Sequence, residues 1–592
     1  MGAVRTTLSP ILAATGLFLA SCAPPAAAPS TIEPSVNREI VGQVVRTTAG
    51  LVVSQNEIAS RVGARLLEDG GNAVDAAIAT GLALAVVHPT AGNIGGGGFM
   101  VIRFPDGTAT TFDFREKAPL ASHSEMFVDE NGEYSRDVQA RSHIAVGVPG
   151  TVAGFALAHE RHGQAEWAGL VEPAVGLAEE GFVLTESLAT SFANQIEGQM
   201  QRYPASLEKF SNNGVPYQPG DLWVQPDLAR TLERIMLEGR DGFYTGETAR
   251  LIAEEMRRGG GLITEADLVR YQSVEREPIR GTFNGYDIIS MPPPSSGGIA
   301  LVEMLNILEG FDLAPMGQES AEYIHHVTEA QRLAYRDRAH YVADTDFVDV
   351  PIERLMSKEY AAELRATIDP LRAGVSKVGN ITMPYESMET THYSVVDQNG
   401  MAVSVTYTLE SGYGSKITVP GAGFLLNNEM GDFNPWPGLT SESGQIGTEP
   451  NLARPEQRML SSMTPTILAR DGELAAVIGS PGGRTIINTV LHLTLNLAEF
   501  GMTMEEANAA TRTHHQWLPD EINIEEFLDD PSVVAELEAM GHTVDVGGDQ
   551  GQAQTIGVDP ATGEQVGVPD SRSSDAGAAA AASERGASSI RS

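Results

Sequence analysis

A hairpin two thirds of the way along the chain narrows the possible folds more than any other stretch. Thr391 to Val396 alternates with period two in β-branched and aromatic residues, Asp397-Gln398-Asn399-Gly400 is turn sequence, and Met401 to Thr408 is a returning strand. With Asn399-Gly400 at the turn centre, antiparallel pairing sets Thr391 opposite Thr408, and a slip of one residue leaves Thr390 beside Thr408. Either register gathers two hydroxyls and the Glu410 carboxylate at the open end of the hairpin.

A threonine hydroxyl is a poor nucleophile until a base removes its proton, and the threonine's own α-amine can be that base. A free α-amine titrates at roughly 8, near enough to neutrality to accept a proton in the transition state, whereas a peptide nitrogen cannot. Cleavage between Glu389 and Thr390 therefore creates nucleophile and base within one residue. On local propensity alone, Thr-Thr at a strand start is ordinary strand chemistry, so the rest of the chain has to decide.

At 592 residues the chain is long enough to bury a large core. Its 39 Lys+Arg against 78 Asp+Glu give a formal charge of -39, which repels phosphate backbones and argues against nucleic acid as a partner. Met1 to Ala20 carries one positive charge, Arg5, and an apolar run from Ile11 to Ala20, a signal-peptide core too short to span a bilayer comfortably. The run ends in Leu19-Ala20-Ser21-Cys22, which resembles the bacterial lipoprotein cleavage box. Cys22 is the only cysteine, so an intrachain disulfide is excluded and lipid attachment is the expected use of the thiol. The alternative is an ordinary signal peptide cut in the Ala-rich stretch beyond. Residues 1–21 thus read as a leader and 22–40 as a flexible tether, with the mature chain lipid-anchored on the periplasmic side of a bacterial envelope.

Helical spacing from Gln55 to Glu68 stops at Gly70-Gly71, and Ala73 to Val87 is a second, more apolar helix, read as buried, ending before His88-Pro89. Gly95-Gly96-Gly97-Gly98 leads a strand, Phe99 to Phe104, which turns at Pro105-Asp106-Gly107 into Thr108 to Phe114. Centring that turn on Asp106-Gly107 brings Arg115 against the glycine run, where a guanidinium beside bare backbone can grip a carboxylate. Locally the plainer reading is a solvated arginine at a hairpin end. The glycine run is not a phosphate loop, because it precedes a strand and lacks the Lys-Ser/Thr of such loops. From Gly147 to about Pro370 the chain is mainly helical, broken at Pro292-Pro293-Pro294-Ser295-Ser296-Gly297-Gly298. His325-His326 and His514-His515 are adjacent pairs whose members point to different helix faces, and no zinc-protease signature occurs, so no metal is expected.

Gly423 to Asn428 reads as another short strand, followed by Glu429 and Asp432, two acids that can hold an ammonium group or be ordinary loop residues. Ser461-Ser462-Met463 leads a strand that turns at Asp471-Gly472 and returns to Gly479-Ser480-Pro481-Gly482-Gly483, which pairs Ser461 with Gly482. Hydroxyls and unobstructed glycine amides converge there, in front of a helix from about Thr485 to Phe500, and such amides suit an oxyanion. Three hairpins with polar ends make a site a better reading than coincidence. The Ser/Ala/Gly-rich stretch 570–592 is expected to be disordered.

At these residues the chain resembles the γ-glutamyltransferase (γ-glutamyl transpeptidase) family over nearly its whole mature length. The resemblance rests on His88-Pro89 with the Gly95 to Gly98 run, Asp113 to Glu116, Gly147 to Thr151, Pro293 to Gly298, Thr390 to Asp397, Leu425 to Met430, Ser461 to Pro465, Gly479 to Gly483 and His514 to Glu521, in that order. It implies an α/β fold, the four-layer αββα sandwich of the N-terminal-nucleophile hydrolases. It also implies a precursor that cuts itself into a large subunit, 41–389, and a small subunit, 390–569, which stay together as one structural domain. Carried over by position, Thr390 is the nucleophile, Thr408 holds its oxygen, and Gly482 and Gly483 supply the oxyanion amides. Arg115, Ser461 and Ser462 match the grip on the donor α-carboxylate, and Glu410, Glu429 and Asp432 match the α-amino site. The implied substrates are small molecules, glutathione or other γ-glutamyl compounds with water, an amino acid or a peptide as acceptor, and no metal or cofactor is implied.

The chain departs from the family in having Glu410 where many members have Asn, Glu429 where some have Gln, and no Tyr in the lid-length loop from Phe433 to Leu460, where the lid position reads Ser443. A lid without that residue admits water more freely, so hydrolysis is expected to exceed transfer. Two other readings share the fold: an acylase for glutaryl or cephalosporin side chains, which needs no ammonium site, and a non-catalytic envelope lipoprotein that binds ligands.

Overall fold

In the computed structural model, which describes residues 1–2, 43–377, 389–438, 448–526, 528 and 530–582, the strands Thr391–Asp397 and Ala402–Thr408 lie at the centre of a seven-stranded sheet. Gly50–Ser54 pairs outside the first and Gly97–Arg103 outside the second, so strands from before and after Thr390 share one hydrogen-bonded layer. Ala109–Asp113 and Val274–Arg276 extend one side and Gly577–Ala580 the other, with every pairing antiparallel. A second seven-stranded sheet runs in spatial order Val45–Thr47, Gln565–Val568, Thr555–Val558, Glu473–Ile478, Thr466–Arg470, Tyr286–Ser290 and Ile279–Phe283.

Three hydrophobic cores separate four layers. Between the sheets, Leu51, Val53, Phe99, Val101 and Val396 meet Ile289, Ile467, Val477 and Ile556. The intervening residues of the first sheet, Val52, Met100, Ile102, Val395 and Val403, face outward onto helix Ala73–Val87 and its neighbours. Ile288, Leu468, Ala476 and Ile478 of the second sheet face outward onto helices Gly297–Leu308, Ala321–Tyr341 and Thr485–Ala498. Both sheets are therefore covered on both sides, and the αββα expectation holds. Each fully buried Val, Leu or Ile in these cores contributes roughly 1.5–3 kcal/mol. Helix Ala73–Val87 begins with a capping box, in which Asn72 accepts from Val74 N and Asp75 N while the Asp75 side chain accepts from Asn72 N.

The strand registers differ from expectation by one residue. Thr391 faces Tyr407 rather than Thr408. The loop has three residues, not two: Asp397 N donates to Met401 O at 3.0 Å and Gly400 takes a φ of 84°. Gly98 likewise pairs with Phe114, not Arg115, because Phe104 N bonds Thr108 O across three residues and Gly107 takes a φ of 85°. Asp471-Gly472 is the two-residue turn expected, but a bulge between Leu468 and Ala469 shifts the ladder. That strand begins only at Thr466, so Ser461 is not paired with Gly482 and instead bridges Ser295.

Two further expectations are corrected. Gly423 to Asn428 forms only an isolated antiparallel bridge, Leu425 with Thr418, and not a strand, since its next bonds go elsewhere, Asn427 N to Gly95 O at 3.1 Å and Asn428 N to Leu409 O at 3.0 Å. Residues 570–582 are ordered, not disordered, with Asp570 and Arg572 buried and Gly577–Ala580 pairing with Gly50–Ser54. Small residues suit this edge, since a Cβ on Gly577 would lie 2.6 Å from Glu57 Cβ, and the segment gains its backbone hydrogen bonds from the sheet rather than from a core of its own. The portion following Thr390 thus extends to at least residue 582. Cys22, the tether, Ser443 and residues 583–592 lie outside the described residues.

Candidate active site

Thr390 precedes the central strand and lies buried at a cavity of about 240 Å³. Of the residues expected at the site, Arg115, Glu389, Thr390, Thr408, Glu410, Glu429, Asp432, Ser461, Ser462 and Gly483 all line this cavity, and Gly482 adjoins Gly483 in the chain. Thr390 Oγ1 donates to the Glu389 carbonyl at 2.6 Å, and Thr408 Oγ1 donates to the same oxygen at 3.1 Å. Glu410 N in turn donates to Thr408 Oγ1 at 3.0 Å. With Glu389 still joined to Thr390, Thr408 Oγ1 meets the Glu389 carbonyl, which stands between it and the Thr390 oxygen to which its family position assigns it. The chain is unbroken at Thr390, and the Glu389 carbonyl occupies the place between the two hydroxyls.

Arg115 is fully buried and its guanidinium spans two acids, Glu429 and Asp432, together with the carbonyls of Leu460 at 3.0 Å and Met459 at 3.4 Å. The solvated-arginine alternative fails. Glu116 stands 4.0 Å away, so one cation faces three carboxylates. Burial drives the Glu429 carboxyl well above the usual range despite Arg115, and Glu116 is pushed up to about 7 for the same reason. The glycine run makes this packing possible: a Cβ on Gly97 would lie 2.4 Å from Phe114 O and 2.7 Å from Glu116 Oε2. Glu410 takes a φ of 77°, and its carboxylate is met by Asn428 Nδ2 and by Ser411 Oγ at 2.5 Å.

Several positioning residues escaped the sequence reading. Asn427 Nδ2 donates to Gly95 O and Gly147 O at 2.8 and 2.9 Å, while its Oδ1 accepts from Glu429 N, tying the glycine segments to the acid. Asn451 links Asp432 O and Leu460 N at 2.7 and 3.0 Å. The carbonyl of Ser461 accepts from Ser296 N and Oγ, and Arg338 donates to Ser296 Oγ at 2.7 Å and to Ser462 Oγ at 2.8 Å. The Pro-Ser-Ser-Gly-Gly break thus carries the serine pair. Its hydroxyls in front of two glycines were the available signal.

Gly482 and Gly483 take φ values of 134° and 55°, conformations that L side chains rarely adopt. Thr485 Oγ1 and Thr485 N fix the Gly482 carbonyl at 2.8 and 3.1 Å. Among the described residues neither glycine amide donates a hydrogen bond, which leaves both N–H groups to serve an anion. His325 and His326 diverge on their helix as expected, His326 Nδ1 bonding Glu322 O at 2.7 Å while His325 meets His542, whereas His514 lies in the short strand Thr513–His514 and not on a helix. Among the described residues one cluster could hold a metal, His325 with Glu329 and His542, remote in sequence from the cavity lining.

Comparisons with known proteins agree with this geometry. The family model described as Gamma-glutamyltranspeptidase matches residues 59–580. The glutathione hydrolase proenzyme of Escherichia coli is 44% identical over 576 residues, spanning 97% of this chain and 99% of that protein. The glutathione hydrolase proenzyme of a Pseudomonas species is 46% identical over 493 residues, 83% of this chain and 86% of that protein. Among solved structures, cephalosporin acylase from Bacillus halodurans matches with a TM-score of 0.81 at 27% identity, covering 94% of this chain and 99% of that one.

Proposed function

The chain belongs to the γ-glutamyltranspeptidase family, and from that premise we propose that it is a γ-glutamyltransferase and glutathione hydrolase in which Thr390 acts twice. In the precursor, Thr390 Oγ1 attacks the Glu389 carbonyl carbon. The C–N bond breaks, an ester forms on Oγ1 and the Thr390 amine is freed. Water then releases Glu389 as a carboxylate and restores the hydroxyl. The Thr408 hydroxyl, donating to the Glu389 oxygen, favours the charge that grows there. In turnover the new α-amine takes the Thr390 proton as Oγ1 attacks a γ-glutamyl amide. The Gly482 and Gly483 amides receive the oxyanion, the amine of the donor departs protonated, and water or an amino acid or peptide takes the γ-glutamyl group from the ester. The meeting of two threonine hydroxyls on the Glu389 carbonyl carries this reading.

Donor recognition follows from the charges. A γ-glutamyl donor bears a carboxylate and an ammonium on one carbon. Its carboxylate takes Arg115, aided by Ser461 and Ser462, and its ammonium takes Glu429 and Asp432, which Arg115 then releases, together with Glu410. Removing one partner of a buried ion pair costs about 3–5 kcal/mol, so a ligand with both charges exchanges partners without stranding any ion. A glutaryl amide lacks the ammonium, which disfavours the acylase reading despite the similarity in fold.

On a denaturing gel the wild type gives two bands and Thr390→Ala one, with Thr390 as the first residue of the lighter fragment. A single wild-type band would return the chain to the non-catalytic reading. A γ-glutamyl anilide is cleaved far faster than a glutaryl anilide, and the reverse order would favour the acylase. For location, the leader and Leu19-Ala20-Ser21-Cys22 support a lipid anchor at Cys22 on the periplasmic side of the envelope. Labelled palmitate enters the wild type and not Cys22→Ser.

A further inference from the structure

Helix Ala321–Tyr341 carries His325 and Glu329 one turn apart on the same face. His542, from the turn after helix Ser532–Met540, closes a triangle in which one donor atom from each residue lies within 4.8 Å of the others, all three residues being buried. His325 Nε2 donates to the Asp369 carbonyl at 2.8 Å, because a carbonyl can only accept. That bond fixes the tautomer and leaves Nδ1 with a lone pair, facing His542 Nε2 at 2.8 Å. An imidazole held by a backbone carbonyl through its far nitrogen is the usual support of a metal ligand. Glu329 is held as firmly: Oε1 accepts from Gly374 N at 2.9 Å and from Arg332 Nε at 3.3 Å, and the Arg332 charge is also met by Asp520.

We propose that His325, Glu329 and His542 bind a zinc-like divalent transition metal, which fastens together the segments that precede and follow Thr390. Two imidazoles and a carboxylate suit zinc and its neighbours in the series rather than magnesium or calcium, which prefer all-oxygen sites. The metal replaces the proton shared by the two imidazoles. Their nitrogens then part from 2.8 Å to roughly 3.3 Å, the separation set by tetrahedral bonds of 2.0–2.1 Å. A fourth position is left to solvent from the adjoining cavity of about 220 Å³, which His542, His515, Arg332 and Asp520 line.

The location gives the site its consequence. His325 and Glu329 precede the scission and His542 follows it. Asp369 and Gly374, which hold the ligands, also precede the scission, and Ser376 N donates across to Asp520 at 2.8 Å. The joining of two fragments rests on the cleavage reading above, but metal binding does not.

The test uses the full chain without a polyhistidine tag, stripped with chelator, desalted and titrated with Zn²⁺. One Zn²⁺ binds per chain, Co²⁺ gives the visible absorption of a four-coordinate nitrogen and oxygen site, and Zn²⁺ raises the unfolding temperature. His542→Gln and Glu329→Gln each weaken Zn²⁺ binding about 100-fold while leaving γ-glutamyl anilide hydrolysis unchanged. Uncut Thr390→Ala binds Zn²⁺ as the wild type does, so an error in the cleavage reading is seen separately. Zn²⁺ retention equal in the wild type and a His325→Ala/His542→Gln double variant, or none in either, would overturn the proposal and leave the histidines a hydrogen-bonded pair.

Discussion

Two buried arginine clusters in this molecule look alike and behave oppositely. Around Arg572, all five guanidinium N–H groups are used, on Glu525, on Asp570 and on the carbonyls of Asn508 and Ala510. Arg512 adds a second cation on Asp570 at 2.9 Å, so two positive charges meet two negative ones. Burial pushes the Glu525 and Asp570 carboxyls up, yet the two arginines more than offset it and hold both below the usual range. Around Arg115, one positive charge meets Glu116, Glu429 and Asp432, and burial wins at Glu116 and Glu429. A balanced cluster is complete by itself and serves the fold, whereas a surplus of buried acid is completed by a cation brought from outside. In the proposed chemistry that cation is the donor's ammonium.

The comparison can be broken at either end. Arg572→Met strands the buried Glu525 carboxylate, Asp570 keeping Arg512, and is expected to cost about 3–5 kcal/mol, read as a lowered urea midpoint, with kcat/KM of the folded fraction unchanged. A loss of activity without a loss of stability there would refute the structural assignment. Asp432→Asn should do the converse, raising KM for a γ-glutamyl donor about 100-fold, some 2.7 kcal/mol, with the unfolding temperature within a few degrees of wild type. The clusters also carry opposite pH slopes. Glu116 has a raised carboxyl, so the folded chain holds its proton more tightly than the unfolded one; its contribution is greatest at low pH and is lost as pH rises toward about 7. Glu525 and Asp570, being depressed, contribute above the ordinary carboxylate range and lose that contribution as pH falls. Glu116→Gln should therefore flatten the decline in unfolding temperature between about pH 5 and 7 without altering the acid limb. The smallest effect concerns the loop around Ser443: with modest glycylglycine present, most product should be free glutamate, and a majority of γ-glutamyl transfer would show that the acceptor is not disfavoured.

Much of this was legible in the sequence because chemistry and periodicity coincided. Helix Ala73–Val87 and the strands on either side of Asp397-Gln398-Asn399-Gly400 are where apolar spacing puts them. Thr390 and Thr408 meet even though the pairing slipped, because the slip moved Thr390 into the place assigned to its neighbour. Register was not legible, since a glycine in a left-handed turn serves two-residue and three-residue loops alike. Nor was Arg338, which acts on Ser462 from more than a hundred residues away and carries no local pattern. Composition misled at Gly577–Ala580: a run too poor in side chains to form a core can still close a sheet edge. The His325-Glu329-His542 triangle was hidden because the eye falls on adjacent histidines, while a helix brings together residues four apart.

The alternation of strands from both sides of Thr390 within one sheet has a further consequence. Gly50–Ser54, Thr391–Asp397, Ala402–Thr408 and Gly97–Arg103 are successive neighbours, so the two products of a break before Thr390 are threaded through each other. Dilution, which parts ordinary partners by mass action, gains nothing here, because separation requires dismantling the central ladder itself. Pieces synthesised apart would have to weave rather than dock.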